Sequence, residues 1–467
     1  MLNRLVLQYF DSHGMQPTDE QREAITIFSR FLYSRQPFTT MILRGCAGTG
    51  KTTLASAFVN ALIAISHNTC LLAPTGRAAK VFSLHSHQPA FTIHRRIYKQ
   101  ASLDTDQPSF TLNFNKSRYT LFIIDESSMI ASGQLLNDLI QYVYEQGTQC
   151  RILFMGDHAQ LPPVGETESP ALSAAALSDY GLEVFEATLS QVLRQAATSG
   201  ILANATLLRA GNIAVHLHYP DVHLVNGNEL IDTLSQSYAT VGRDDTIVIT
   251  RSNKRANIYN EGIRRTILDS DDRLSSGDML MIVKNNYFWL PIPEGEEQQS
   301  SSGLSAFIAN GDVAILRRYR NCHEMYGFTF ADATISFPDY DDYELDVRII
   351  LDTLTSEAPA LTTEQSDRLF HAVLDDYNLQ PNRPPTQREV MAQVRQDKYY
   401  NALQIKFAYA VTCHKSQGGQ WSHVYIDQGY ITPDMLTPDY IHWLYTAFTR
   451  ATDQLFLVNW PKDQIAE

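Results

Sequence analysis

Short apolar runs alternate with amphipathic stretches through the first part of the chain. TTMILR (39–44), TCLLAP (69–74), YTLFIIDE (119–126) and CRILFMGD (150–157) are rich in β-branched and aromatic residues, the pattern of buried strands. QREAITIFSRFLY (21–33) and KTTLASAFVNALIAIS (51–66) space their apolar residues as helices do. Strands alternating with helices predict a parallel sheet with crossover helices. The pattern returns later. DTIVITRS (245–252), NALQIKFAYAV (401–411), HVYIDQG (423–429) and DQLFLVNW (453–460) read as strands, and NKRANIYNEGIRRTIL (253–268) as a helix. The expected fold class is therefore α/β, with two tandem parallel-sheet domains at 1–195 and 196–467.

Two stretches interrupt the plan. Residues 100–118 are polar with alternating Phe110, Leu112 and Phe114, which predicts a small hairpin inserted in the first domain. Residues 320–399 open strand-like and turn helical at 362–377, which predicts a mixed subdomain inserted in the second. PIPEGEEQQSSSG (291–303) reads as a loop. The N-terminal residues 1–14 lack an apolar signal core and read as a helix.

Composition narrows the class. The chain has 467 residues and a formal net charge of −14. Its apolar runs are too short to span a membrane. Cys46, Cys70, Cys150, Cys322 and Cys413 include no close pair, which argues against a disulfide framework or a structural zinc site and makes a reducing cytoplasm the expectation. The negative charge is concentrated at 269–272, 294–297 and 339–346. A cationic groove elsewhere therefore stays compatible with nucleic acid, because phosphate binding depends on the local patch.

Several motifs carry chemistry. GCAGTGKT (45–52) follows a predicted strand and opens a predicted helix, the context of a phosphate-binding P-loop. Gly45, Cys46, Ala47, Gly48, Thr49, Gly50, Lys51, Thr52 and Thr53 are the expected nucleoside triphosphate contacts. Lys51 would reach the β- and γ-phosphates, and the Thr52 hydroxyl would take Mg²⁺. LFIIDESS (121–128) ends a strand in Asp125, an expected Mg²⁺ ligand, and Glu126, an expected base for the attacking water. GDHAQLPPVG (156–165) places Gln160 where it could sense a γ-phosphate. Arg194 and Arg450 could stabilise its charge in transfer. TCHKSQGGQW (412–421) gathers polar side chains on one turn.

Taken in order, these segments resemble the superfamily 1 DNA helicases of the RecD-like and Dda-like branch. TDEQREAI (18–25) resembles the Q motif, whose Gln21 would read the adenine. GCAGTGKT and IIDESS resemble motifs I and II, APTGRAAK (73–80) motif Ia, TIHRRIY (92–98) motif Ib and GDHAQLPPVG motif III. LRQ (193–195) resembles the segment bearing the first γ-phosphate arginine. VTCHKSQGGQW resembles motif V and YTAFTRA (445–451) motif VI.

The resemblance implies two RecA-like domains, with 100–118 standing where the family has its pin and 320–399 where relatives insert an SH3-like subdomain. It implies ATP and Mg²⁺ as cofactors and single-stranded DNA and single-strand/duplex junctions as partners, with the chain acting as a monomer. The expected strand contacts are Pro74, Thr75, Thr92, His94, Thr412, His414, Lys415, Ser416 and Gln417. The implied activity is 5′-to-3′ translocation coupled to unwinding, in repair, recombination or replication. Two other readings stay open: a nucleic-acid-dependent ATPase that does not unwind, and the ATPase subunit of an exodeoxyribonuclease complex.

Overall fold

The computed structural model describes residues 1–100, 110–145, 147–192, 199–290, 308–340, 342–378 and 386–466. Among them, β1 (Thr39–Gly45), β2 (Asn68–Ala73) and β3 (Ala90–Thr92) are followed by a short pair, β4 (Tyr98–Gln100) and β5 (Phe110–Leu112). Then come β6 (Thr120–Ile124), β7 (Arg151–Gly156) and β8 (Glu183–Leu189). Apart from the β4–β5 pair, these strands form one sheet in the order β3-β2-β6-β7-β1-β8, with every pairing parallel.

Helices cover both faces, so the central strands are apolar on both sides; every residue of β6 is buried. One face packs on the helices Leu2–Ser12, Asp19–Leu32 and Lys51–Ala64, with Phe28 stacked on Phe58 at 3.9 Å. The other packs on the helix Gln134–Val143.

The second sheet holds β9 (Val222–Val225), β10 (Thr246–Thr250), β16 (Ala410–Thr412), β17 (Trp421–Asp427) and β18 (Ala451–Val458), in the order β16-β10-β17-β18-β9 and again all parallel. Between β10 and β16 lies a closed barrel of β11 (Met279–Ile282), β12 (Val313–Met325), β13 (Phe328–Phe337), β14 (Tyr343–Ile350) and β15 (Leu403–Phe407). Its pairings are antiparallel except β14–β15. The helices Thr363–Asn378 and Gln387–Arg395 pack Leu369, Val373, Val390 and Val394 on Phe328, Phe330 and Ile350 at its end.

Two expectations change. The run 401–411 was expected as one strand; it is two. Leu403–Phe407 closes the barrel and Ala410–Thr412 enters the sheet, with Ala408 and Tyr409 between. An apolar run buried throughout carries no mark of which sheet each half joins. The barrel also draws strands from both sides of the stretch 320–399, because β11 and β15 close it. Of the expected hairpin, β4 and β5 are an antiparallel pair, and 101–109 lie outside the described residues, as do Arg194 and the loop 291–303. No helix among the described residues is long and apolar enough to cross a membrane.

Asp278 ties the helix Asn253–Thr266 to the barrel. It accepts from Arg264 Nε at 2.9 Å, from the Tyr409 hydroxyl at 3.1 Å and from the Ser275 N–H at 2.7 Å. The Arg264 guanidinium also lies over the Phe407 ring at 4.3 Å. The ion pair is buried on both sides, so Arg264→Met strands a carboxylate and should cost about 3–5 kcal/mol in denaturant unfolding. Adding Asp278→Asn should recover part of that loss.

Candidate nucleotide site and strand groove

The C-terminal ends of β1, β6 and β7 meet at one edge of the first sheet, the place where open α/β sheets bind ligands. Residues 46–50 leave β1 as a tight loop. Gly48 and Gly50 hold φ of 75° and 78°, a region closed to most side chains, and Gly50 caps the helix Lys51–Ala64. The Lys51 ammonium donates to the carbonyls of Gly45 and Cys46, the latter at 3.3 Å. Thr49 Oγ1 donates to the Cys46 carbonyl at 2.8 Å. Thr52 and Thr53 lie in the first turn of the helix. Gln21 supports this loop from below: its Oε1 accepts from the Thr18 N–H at 3.0 Å and its Nε2 donates to the Thr49 carbonyl at 3.1 Å. It is 1% exposed, and its amide grips the loop backbone.

Asp125 and Glu126 stand at the end of β6. Burial, with Glu126 beside it, pushes the Asp125 carboxyl up to about 6, while the Glu126 N–H and the Lys51 charge pull it back. Glu126 has φ of 50°, a strained backbone for a glutamate, and this turn aims its side chain across the cleft. There it meets two other expected residues. Arg450 Nη1 lies 4.0 Å from Glu126 Oε1. With its amide oriented to satisfy both neighbours, Gln160 Nε2 donates to Glu126 Oε2 at 3.3 Å and its Oε1 accepts from Arg450 Nη2 at 3.1 Å. Arg450 follows the helix Pro438–Phe448 of the second domain and also donates to the carbonyls of Thr446 and Gly419, both at 3.1 Å. Three residues from three separate elements thus converge.

The turn after β16 divides in two. Thr412, His414 and Lys415 face a cavity of about 440 Å³, whose wall also includes Arg251, Ser252 and Asn253. Ser416 and Gln417, expected as strand contacts, turn inward. Ser416 Oγ donates to the Cys413 carbonyl at 2.8 Å and Gln417 Nε2 to the Leu161 carbonyl at 2.8 Å. Ser416 thus satisfies a carbonyl of its own turn, and Gln417 one in the loop after β7. Burial pushes the Lys415 ammonium down to about 8. It donates to Asn310 Oδ1, and Lys406 lies close enough for the two charges to repel.

On the first domain, Pro74 leads into Thr75, whose hydroxyl caps the helix Gly76–Ser86 by accepting from the Ala78 N–H at 3.2 Å. Thr92 caps the helix Ile93–Ile97 in the same way and is buried. His94 stands in that helix with its imidazole 5.5 Å from the Tyr98 ring, and burial lowers its pKa. Both threonines therefore set helix starts. The two halves of the groove touch: Arg77 lies over the Trp421 ring at 4.1 Å and donates to the Gln420 carbonyl at 3.1 Å. The barrel leans on the same helix, where Lys80 pairs with Asp339 at 2.9 Å.

Sequence reasoning passed over Arg251 to Asn253, though they follow a strand whose end adjoins β16 through the pair Thr250↔Thr412. It also passed over Asp157 and Tyr445, which the hydrogen bonds place at the centre of the cleft.

Family models match in two places: an AAA domain over residues 16–229 and a UvrD-like helicase C-terminal domain over 407–458. The uncharacterised protein R530 of Acanthamoeba polyphaga mimivirus is 23% identical, over 88% of this chain and 94% of its own length. The ATP-dependent RecD2 DNA helicase of Deinococcus radiodurans is 31% identical over 35% of this chain and 21% of its own. The ATP-dependent DNA helicase dda of phage T4 is 26% identical over 57% of this chain and 60% of its own. Among solved structures, a Bacteroides Pif1 helicase in complex with ADP-AlF3 and ssDNA aligns over 97% of this chain and 95% of that one, at 16% identity and a TM-score of 0.47.

Gly418 has φ of 76°, and a Cβ there would stand 2.9 Å from Ala78 Cβ and 3.0 Å from Thr75 Oγ1. Gly418→Ala should therefore lower stability by about 1–3 kcal/mol in denaturant unfolding, through backbone strain alone before the clash is counted.

Proposed function

Because the chain belongs to the superfamily 1 DNA helicases of the RecD/Dda/Pif1 branch, we propose that it is an ATP-driven motor that moves on single-stranded DNA and opens duplex ahead of it. The observation that carries the proposal is the double engagement of Arg450. One end of its guanidinium faces Glu126 and Gln160 in the cleft, and another N–H holds the Gly419 carbonyl of the turn that lines the groove. Relatives named as ATP-dependent DNA helicases support the choice of substrate.

In this reading the P-loop amides and Lys51 hold the ATP phosphates. Thr52 and Asp125 offer a hydroxyl and a carboxylate oxygen, the ligands Mg²⁺ takes beside phosphate, and the ion when bound would neutralise phosphate charge. Glu126 accepts a proton from the water that attacks the γ-phosphorus as the bond to the β-phosphate oxygen breaks. Gln160 orients that carboxylate, and Arg450 balances the charge that spreads over the transferred group. Arg194 stands as a second arginine for that charge. Thr412, His414 and Lys415 hold phosphates on the second domain, and the helix start at Thr75 together with His94 holds them on the first. Closing and opening of the cleft then moves one grip relative to the other. In this reading movement is 5′-to-3′, as the resemblance implies, and serves repair, recombination or replication.

The primary test is ATP hydrolysis with and without a single-stranded oligonucleotide. Strong stimulation is expected, and Lys51→Ala should lower the stimulated rate by about 100-fold or more. Hydrolysis indifferent to DNA would remove the motor reading. Duplexes tailed at either end then report polarity and separate unwinding from translocation alone.

A pH profile tests the grip. A lysine must be charged to hold a phosphate, and burial leaves Lys415 titrating at about 8. Affinity for the strand should be full below that pH and fall above it, by about tenfold per unit from this group. Fluorescence anisotropy at pH 7 and pH 9, at constant ionic strength, should show the drop in the natural chain. Lys415→Met should bind more weakly at pH 7 and respond less to pH; an equal response in both would remove Lys415 from the grip.

A further inference from the structure

Tyr445 lies at the meeting point of the two domains. Its hydroxyl accepts from the Ala47 N–H of the P-loop at 2.9 Å and donates to Asp157 Oδ2 at 2.6 Å. The other Asp157 oxygen accepts from the Ala159 N–H at 3.0 Å. Tyr445 and Asp157 are each 1% exposed. The chain of bonds has a fixed direction: amide to phenol to carboxylate. Burial and the neighbouring Asp157 raise the Tyr445 pKa well above its ordinary value, so the phenol keeps its proton and the direction holds at any working pH.

The same helix holds the loop after β7 at two more points. Thr446 Oγ1 accepts from the Leu161 N–H at 2.7 Å, and the His442 ring meets the Ala159 carbonyl at 2.8 Å. The Leu161 carbonyl accepts from Gln417, two residues beyond Lys415. Leu161 is thus pinned by the helix on one side and by the groove turn on the other. From the P-loop to the groove turn, buried and half-buried polar contacts joined by the backbone from Ala159 to Leu161 form a run, and Tyr445 is its first link.

We propose that Tyr445, fixed by Asp157, is a positioning residue that couples the phosphate-binding loop to the turn gripping the strand. The proposal rests on the motor reading above. The hydroxyl carries the role: phenylalanine would fill the same volume but leave the Ala47 N–H and one Asp157 oxygen without partners. Asp157→Asn offers one carbonyl oxygen where the carboxylate offers two, so one of its two donors loses its acceptor.

The experiment compares the full-length natural chain with Tyr445→Phe and Asp157→Asn. Two quantities are read: the ratio of oligonucleotide-stimulated to basal ATP hydrolysis, and the change in affinity for a fluorescent ADP when the oligonucleotide is added. Both substitutions should cut the stimulation ratio by about fivefold or more, the lower end of ordinary coupling between sites. They should also shrink the effect of the oligonucleotide on ADP binding, while the KM for ATP moves far less than the stimulated kcat. A natural ratio in Tyr445→Phe, even with a lowered melting temperature, would overturn the proposal and leave the tyrosine a packing residue. An unstimulated natural chain would instead sink the motor reading itself, so the two failures are told apart by which protein shows them.

Discussion

A guanidinium that is 2% exposed needs acceptors for its N–H groups, and much of the cleft is built to supply them for Arg450. Thr446 and Gly419 give carbonyls, Thr449 a hydroxyl, Gln160 an amide oxygen and Glu126 a carboxylate. These come from the helix Pro438–Phe448 and the residue after it, from the turn after β16, and from the ends of β6 and β7. No one element can satisfy the charge. Arg450 is therefore one of the ties that hold the two sheets together, alongside Tyr445, Thr446 and Gln417, and its isolation would be costly.

The acidic balance of the chain does not exclude a local cationic patch. The net charge of −14 is a sum over the surface, whereas a phosphate meets only its neighbours. Arg251, Lys254, His414 and Lys415 share one cavity with a single carboxylate, Glu357. Partial burial lowers the Lys415 pKa and so costs that residue some of its charge.

The parts of this arrangement legible in the sequence were those governed by local rules. The P-loop, the strand ending in Asp125 and Glu126, and the loop bearing Gln160 each follow from a strand, a turn and a fixed spacing, and the structure gathers Glu126, Gln160 and Arg450. Relations fixed by long-range geometry were not legible. Nothing in the run 401–411 marks the passage from barrel to sheet. The resemblance names Ser416 and Gln417 as strand contacts, and the fold also gives them partners of their own in the Cys413 and Leu161 carbonyls, the second far away in sequence. It names Thr75 and Thr92 likewise, and each also caps a helix. Tyr445 opens the stretch 445–451, and its hydroxyl gains meaning only when the P-loop stands against it.

The passage from β15 to β16 has a further consequence. Only Ala408 and Tyr409 join the closing strand of the barrel to the edge strand of the sheet, and the Tyr409 hydroxyl is fastened to Asp278 at the mouth of the barrel. Such a splice has no slack. The barrel is consequently not an ornament hung from a loop. Torsion applied to it is delivered to β16 and the turn beyond, and excising it would remove the lead-in that sets the register of an edge strand.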